Sequence, residues 1–168
     1  MVSRPRTSTV SEQVSSALYA RYQTTVGPDW IDYNGHLNDA GYAVLLAAAN
    51  EMLLDDLGLS AAYRSATGRA LYTVASQIRY LAECKLGDVL AARTLLVSAD
   101  QKRLRLHTEL IRDDGVAAAT GEYLYLHVDE AVGGVAPMPG DRWATVSALL
   151  AAQSALPRPP HLGRGIGA

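Results

Sequence analysis

Only one cysteine, Cys84, and no phenylalanine occur in the 168 residues. A single cysteine excludes an intramolecular disulfide framework and fits a reducing compartment, so we expect a cytoplasmic protein. No apolar stretch reaches the roughly 18 residues that a membrane-spanning helix needs. The first residues also lack the apolar core of a secretory signal, so we expect no membrane as a partner.

Clustered charge is absent as well. The chain has 15 Lys and Arg against 17 Asp and Glu, and its basic residues are scattered. Without a basic patch, nucleic-acid binding has no electrostatic basis, so we expect no nucleic-acid partner. Asp32, His36 and Asp39 do not form a convincing metal-ligand set, and we predict neither a metal nor another cofactor.

The chain does contain enough apolar material, 49% of its residues, for one domain with a sizeable core. We predict a flexible N-terminus over residues 1–16 and a folded domain over 17–140. A C-terminal helix is predicted over 141–156. Residues 157–168 are rich in Pro and Gly, which indicates a disordered tail.

The most regular pattern lies at residues 39–59, where apolar side chains recur at helical spacing. Asn38 is suited to be the N-cap of this helix, and Gly58 is suited to end it. Residues 60–69 look like a polar connection. Alternating patterns on either side predict strands over 17–26, 69–82, 88–99, 102–112 and 116–130.

This order, a strand, a long helix and then successive antiparallel strands, indicates an α+β protein. In the fourth predicted strand Leu104, Leu106 and Leu110 share one face, so we expect the long helix to cover the apolar side of a curved sheet. A half-open sheet leaves an edge strand exposed. Because such an edge invites pairing with a second copy, we expect a homodimer or homotetramer.

A dense polar segment, WIDYNGHLNDAGY, occupies residues 30–42 at the start of the long helix. The first N–H groups of a helix lack partners, so they can stabilise a carbonyl oxygen that develops negative charge. Asp32, six residues before the N-cap, is a candidate to attack that carbonyl or to activate a water.

The acidity of an ordinary Asp limits these roles. A free Asp has a pKa of about 3.9, which makes it a poor base at neutral pH. Asp32 therefore has to act as a nucleophile, or be desolvated by neighbours such as Trp30 and Tyr33. The alternative is that the Asn, Asp and Gly residues form an ordinary turn and helix cap, and the pattern alone leaves this open.

The same segment resembles the D-x-N-x-H-x-N-x-x-Y signature of hot-dog-fold acyl-CoA and acyl-carrier-protein thioesterases. YLAECKLGD (80–88), SADQKRLRLHTEL (98–110) and LHVDEAVGGVAPMP (126–139) narrow the resemblance. They are similar to the thioesterase domain found with L-carnitine dehydrogenases, which is associated with hydrolysis of betainyl-CoA. The likeness covers about residues 18–140. It implies a hot-dog fold, an acyl-CoA substrate and a functional link to a carnitine dehydrogenase.

Position by position, the resemblance implies that Asp32 is the catalytic carboxylate. It implies that Asn34 and His36 orient or polarise the thioester and the attacking water. Asn38 and Tyr42 match positions that shape the loop and the helix start.

The chain departs from that family at two places. HLNDAGY stands where the family often has HMNVAYY, so Asp39 and Gly41 alter the edge of the pocket. Ala75-Ser76-Gln77 stands where a Glu-x-His pair is common. We predict that Gln77 contacts the acyl group or marks a different substrate.

Other residues have two interpretations each. A quaternary ammonium substrate favours an aromatic cage, but tyrosines are also ordinary strand residues; the candidates are Trp30, Tyr33, Tyr42 and Tyr72. Basic side chains on a strand can contact CoA phosphates or form a solvated face; here they are Lys102, Arg103 and Arg105. We interpret His107 and His127 as satisfied sheet histidines, and Cys84 as unreactive.

We therefore expect a thioester hydrolase that converts betainyl-CoA to glycine betaine and CoA, with Asp32 as general base or nucleophile. N–H groups at the start of the long helix would form the oxyanion hole. Alternatives are a hot-dog thioesterase for another acyl-CoA or acyl carrier protein, and a non-catalytic acyl-CoA-binding module. Substrate contacts are predicted for Trp30, Tyr33, Asn38, Tyr42 and Gln77.

Overall fold

The structure, a computed structural model, describes residues 18–165. The predicted flexible N-terminus, residues 1–16, therefore lies outside the described residues. The helices are α1 Asp39–Asp56, α2 Ala61–Thr67 and α3 Gly140–Gln153. The strands are β1 Gln23–Thr25, β2 Arg69–Tyr80, β3 Val89–Asp100, β4 Arg103–Arg112, β5 Ala117–Asp129 and β6 Gly134–Val135.

The strands form one antiparallel sheet in the order β1-β3-β4-β5-β2, and β6 pairs with the end of β5. Register shifts after Thr73, Leu96 and Leu110 add local twist, and such irregularities bend strands around a core. Helix α1 contacts β3, β4 and β5. A long helix on one face of an antiparallel sheet confirms the predicted α+β, hot-dog arrangement.

Helix α1 begins and ends where its sequence predicts. The Asn38 side chain accepts the Gly41 N–H at 2.7 Å, which makes Asn38 the N-cap. At the other end Gly58 has φ 70°, a left-handed conformation that favours glycine, and its N–H donates to Asp55 O at 2.8 Å. Between these caps the helix buries Leu46, Ala49 and Leu53 against the sheet. On the sheet side, three leucines of β4 are fully buried, as their alternation predicts: Leu104, Leu106 and Leu110.

Helix α2 corrects the prediction of a polar connection over residues 60–69. This short helix has one buried side chain, Tyr63, so it carries too little apolar periodicity to be recognised. The Tyr63 hydroxyl lies 2.9 Å from His127 Nε2, and His127 Nδ1 lies 2.8 Å from Ala136 O. His127 is thus a satisfied sheet histidine, as predicted.

His107 differs from its prediction. Its side chain is buried, and its Nε2 has no hydrogen-bond partner within residues 18–165. Burial lowers the pKa of His107, because the charged imidazolium loses its hydration. A neutral ring is therefore favoured at this position.

The free edge of β3 is completed by three different parts of the chain. The predicted strand over residues 17–26 forms a regular ladder only at β1, and the chain before it contributes an isolated bridge between Tyr19 and Thr94. Ala92 N donates to Tyr22 O at 3.0 Å and Thr94 N donates to Tyr19 O at 2.8 Å. Beyond them, Leu96 N donates to the side-chain oxygen of Gln153 at 2.8 Å. Helix α3 thereby covers the part of the edge that β1 does not reach.

Residues 157–165 belong to the tail that the sequence predicts to be disordered over 157–168, and part of this segment contacts the sheet. Gln77 Nε2 and Arg79 Nη2 donate to Arg164 O at 2.7 and 2.8 Å. Gly163 N donates to a Glu122 carboxylate oxygen at 2.6 Å. The backbone of this segment is thus held by polar side chains of β2 and β5, which composition alone does not reveal.

A buried polar chain joins α1 to the sheet. Asn50 and Thr108 are fully buried, and the Thr108 hydroxyl donates to Asn50 Oδ1 at 2.5 Å. The Thr94 hydroxyl lies 3.0 Å from that of Thr108. Thr108 therefore supplies the donor that a buried amide oxygen needs.

We expect Thr108→Val to lower the free energy of unfolding by about 1–3 kcal/mol, because it leaves the buried Asn50 oxygen without its donor at nearly constant volume. Thr94→Val is the matched control, since it leaves the Thr108–Asn50 hydrogen bond in place and should cost less. Urea denaturation measures both. Equal losses in the two variants would contradict the importance of the Asn50 contact.

Cys84 is fully buried beside Tyr42. Burial raises the pKa of the Cys84 thiol, which outweighs the lowering by the Tyr42 hydrogen bond. The thiolate, which is the reactive form, is therefore disfavoured.

We expect Cys84 to be inert to Ellman's reagent at neutral pH in the folded protein, and to react after denaturation in guanidinium chloride. The folded protein should release less than a tenth of the thionitrobenzoate that the denatured protein releases, a rough estimate from its complete burial. Full reaction of the folded protein would show that the core around Cys84 opens readily.

Candidate active site

The loop before α1 is closed by its own backbone. Ile31 and Leu37 form an isolated antiparallel bridge, and Asp32 N donates to His36 O at 2.9 Å. Gly35 N donates to Asp32 O at 3.0 Å, and Gly35 has φ 81°, so a glycine is favoured at this tight turn. The result is a small, closed turn that presents the side chains between its ends.

The Asp32 carboxylate is held inside this turn. Its Oδ1 accepts the N–H groups of Asn34 at 2.8 Å and of His36 at 3.3 Å. Its Oδ2 accepts the Asn34 side-chain N–H at 3.3 Å. Partial desolvation raises the pKa of Asp32, but these hydrogen bonds and the nearby His36 together outweigh it. The pKa of Asp32 therefore lies below its ordinary value, and the group is ionised at neutral pH.

Asn38 ties the loop to the helix. Its N–H and its side-chain amide both donate to Trp30 O, at 2.9 and 2.8 Å, while its side-chain oxygen caps the helix at Gly41. Asp39 Oδ1 accepts the Ala40 N–H at 2.9 Å. The Ala40 and Gly41 N–H groups are thus already used by side chains, which removes them from the predicted oxyanion hole. The Asp39 N–H, the first of the helix, is the remaining orphan donor by position.

A second segment, the residues that follow β2, closes the site from the other side. Leu37 N donates to Cys84 O at 2.8 Å, and the Tyr42 hydroxyl donates to Ala82 O at 2.9 Å. His36 Nε2 lies 3.2 Å from a Glu83 carboxylate oxygen. These contacts fix the loop and the His36 ring relative to the end of β2.

An open cavity of about 370 Å³ lies between the two segments. Four of the predicted site residues, Asp32, Asn34, His36 and Tyr42, lie together in its wall. The full lining is Asp32, Asn34, His36, Leu37, Asp39, Tyr42, Tyr80, Leu81, Ala82 and Glu83. The structure thus brings the predicted catalytic group to one concave surface.

The other predicted substrate contacts lie outside this lining. Tyr33 has 97% of its surface exposed to solvent. Trp30 and Asn38 hold the loop instead, because the Asn38 side chain donates to the Trp30 carbonyl. Gln77 donates to the C-terminal segment and lines a separate depression with Arg105 and Glu122. Their roles in substrate binding stay predictions.

Three further candidates are also engaged elsewhere. The Tyr72 hydroxyl donates to Glu130 at 2.9 Å, away from the cavity. Arg105 pairs with Glu122 at 2.5 Å, and Arg103 pairs with Asp100 at 2.6 Å. Both arginines thus already have carboxylate partners.

Sequence reasoning did not assign Tyr80 or Glu83 to the site. Both lie within the YLAECKLGD segment that carries the family resemblance, but they reach the cavity only because β2 ends beside the loop. Within residues 18–165, no three His, Cys, Asp or Glu side chains are grouped closely enough to hold a metal ion. None of the helices in that range is both long and apolar enough to cross a membrane.

The arrangement is suited to acyl transfer. An ionised carboxylate with one lightly bonded oxygen, a neighbouring imidazole and a side-chain amide meet at the start of a helix. A carboxylate in such a place can attack a carbonyl or hold a water, and the donors around it can stabilise the oxyanion.

Comparison with known proteins identifies the family. A family model described as the thioesterase-like superfamily matches residues 26–152. A betainyl-CoA thioesterase of Pseudomonas aeruginosa is 39% identical over 153 residues, which are 90% of this chain and 96% of that protein. An L-carnitine dehydrogenase/betainyl-CoA thioesterase of Agrobacterium fabrum is 43% identical over 149 residues, 88% of this chain. This chain spans only 30% of the length of that second relative.

Solved structures share the fold. A Staphylococcus aureus protein in complex with CoA has a TM-score of 0.84 and 25% identity, over 90% of this chain and 97% of that one. A putative thioesterase from Pseudomonas putida has a TM-score of 0.77 and 33% identity, with the same coverage of both chains. With its family-model match over most of its length and a relative of nearly the same extent, this chain belongs to the thioesterase-like superfamily.

Proposed function

We propose that this protein hydrolyses betainyl-CoA to glycine betaine and CoA. The observation that carries the proposal is the ionised Asp32 carboxylate, held beside His36 and Asn34 in the cavity at the start of α1. The identity of the acyl group is inferred from the names of the Pseudomonas aeruginosa and Agrobacterium fabrum relatives. The Staphylococcus aureus neighbour, solved with CoA, supports a CoA ester as the substrate.

Asp32 acts as the nucleophile in this proposal. Its Oδ1 accepts two backbone N–H groups, so Oδ2 is the freer oxygen and attacks the thioester carbonyl. The C–S bond breaks, CoA leaves as the thiolate and is protonated, and the acyl group forms an anhydride with Asp32. Water then cleaves the anhydride, which restores the carboxylate and releases the acid. A lowered pKa disfavours the alternative of a general base at neutral pH.

The neighbouring donors stabilise the oxyanion. The Asn34 amide is only weakly engaged with Asp32, at 3.3 Å, and can turn its N–H to the thioester oxygen. The first helical N–H, that of Asp39, is a second donor. Glu83 orients the His36 ring through Nε2, and His36 positions and activates the water that cleaves the anhydride.

We also propose that the protein works as a homodimer, with a homotetramer as the larger alternative. Strand β2 ends the sheet and pairs with β5 alone in the ladder order, and residues 72–76 are exposed. Tyr72 and Val74 add exposed apolar surface along the same strand. A second β2 would pair with this edge and bury that surface.

We further propose a functional link to an L-carnitine dehydrogenase, because the name of the Agrobacterium fabrum relative joins the two activities. The single cysteine favours a cytoplasmic location for this activity.

We expect the wild-type protein to release CoA thiol from betainyl-CoA faster than from acetyl-, acetoacetyl-, hexanoyl-, palmitoyl- and benzoyl-CoA. The measurement is kcat/KM for each ester from thiol release. A clear preference for another ester would keep the thioesterase chemistry and replace the acyl group. Tight binding of the esters without release of any thiol would support a non-catalytic acyl-CoA-binding module instead.

We expect Asp32→Asn to lower kcat by roughly 10³-fold, because the amide keeps the turn but cannot attack the thioester; the size follows that of other removed catalytic groups. Asp29→Asn is the control, since Asp29 is an exposed carboxylate of the same loop region outside the cavity lining. Circular dichroism and thermal unfolding check that both variants fold. A folded Asp32→Asn with wild-type turnover would reject the assigned nucleophile.

A further inference from the structure

The charge of the cavity wall is one-sided. Asp32, Asp39 and Glu83 contribute three carboxylates, and none of the described residues in the lining is Lys or Arg. Asp32 is used by the proposed reaction and Glu83 lies beside His36. Asp39 is therefore a carboxylate in the active-site wall for which the reaction has no role.

Asp39 is held in a fixed orientation. It is the first residue of α1, and its Oδ1 accepts the Ala40 N–H at 2.9 Å. The N-terminus of a helix carries partial positive charge, which repels a cation. A carboxylate at the first helical position offsets that charge, so the wall beside the helix start can accept a positive group.

An aromatic pair stands in the same wall. The Tyr42 and Tyr80 rings lie 5.5 Å apart at an angle of 70°, an edge-to-face contact. Tyr42 is buried and tied to Ala82 O through its hydroxyl, whereas Tyr80 remains 54% exposed at the end of β2. Burial raises the pKa of Tyr80, and the Asp39 carboxylate raises it further. The open ring of Tyr80 and the Asp39 carboxylate thus both lie in the wall of this cavity.

We infer that Asp39 and Tyr80 bind the trimethylammonium group of the acyl chain and so determine the preference for a cationic acyl-CoA. A quaternary ammonium group has no N–H to donate, so it is recognised by aromatic rings and by opposite charge. The inference rests on the proposed function for the identity of the acyl group. It replaces the predicted cage of Trp30, Tyr33, Tyr42 and Tyr72 by a site in which only Tyr42 of those four takes part, as the support of the Tyr80 ring.

The test separates binding of the cation from hydrolysis. Two thioethers of CoA are compared by calorimetry: one ends in trimethylammonium, two carbons from sulfur as in betainyl-CoA, and the other ends in the isosteric, neutral tert-butyl group. Neither can be hydrolysed, so the ratio of their Kd values reports charge recognition alone. We expect the wild-type protein to bind the cationic thioether about tenfold more tightly, the size of a desolvated cation–π contact.

Two substitutions test whether Asp39 and Tyr80 cause the preference for the cationic thioether. Asp39→Asn keeps the oxygen that accepts the Ala40 N–H and should reduce the preference by about fivefold, the upper range for a partly exposed charge pair. Tyr80→Leu should reduce it by a similar factor, because the ring is lost but an apolar side chain stays. Asp29→Asn removes the same charge outside the cavity and should leave the ratio at its wild-type value.

An equal affinity of the wild-type protein for both thioethers would overturn the inference. So would an unchanged ratio in both Asp39→Asn and Tyr80→Leu. If the cation preference is present and depends on these residues but no ester is hydrolysed, the inference stands and the proposed function fails. If betainyl-CoA is hydrolysed but the neutral thioether binds equally well, the proposed function stands and the inference fails.

Discussion

The double attachment of Asn38 is the interaction on which the site depends. One end of its side chain bonds the Trp30 carbonyl and the other caps α1 at Gly41, so the loop must close before the helix can begin. This closure sets where Asp32, Asn34 and His36 stand relative to the first helical turn. Because α1 is buried in the sheet along most of its length, the core of the protein holds the loop in place.

The hydrogen bonds inside the loop determine what Asp32 can do. A carboxylate that accepts two backbone N–H groups is stabilised in its charged form, so it stays ionised and becomes less basic. Asp32 lacks the apolar surroundings that would raise its pKa and make it a base at neutral pH. The geometry instead leaves one oxygen lightly bonded, which favours direct attack over proton transfer.

The parts of the fold that could be predicted are those set by local pattern. Helix α1 has regular apolar spacing and both caps, and β4 alternates strictly, so neither needed tertiary information. Helix α2 was missed because Tyr63 alone anchors it. The catalytic role proposed for Asp32 rests on a family resemblance, since an Asp in a polar turn has an ordinary explanation. Gln77 and Tyr80 could not be placed, because the contacts of a strand residue depend on which elements pack beside it.

The chemistry of a cationic acyl group fits a weakly basic nucleophile. The quaternary nitrogen is one carbon from the thioester carbonyl and withdraws electrons from it, so a carboxylate of low pKa meets a more reactive carbonyl. The same positive charge is attracted by the carboxylates of the cavity, which would repel an anionic acyl chain. In the proposed complex the bound cation would also favour the ionised form of Asp32, because a nearby positive charge stabilises a carboxylate. Substrate preference and nucleophile activation then have one electrostatic cause.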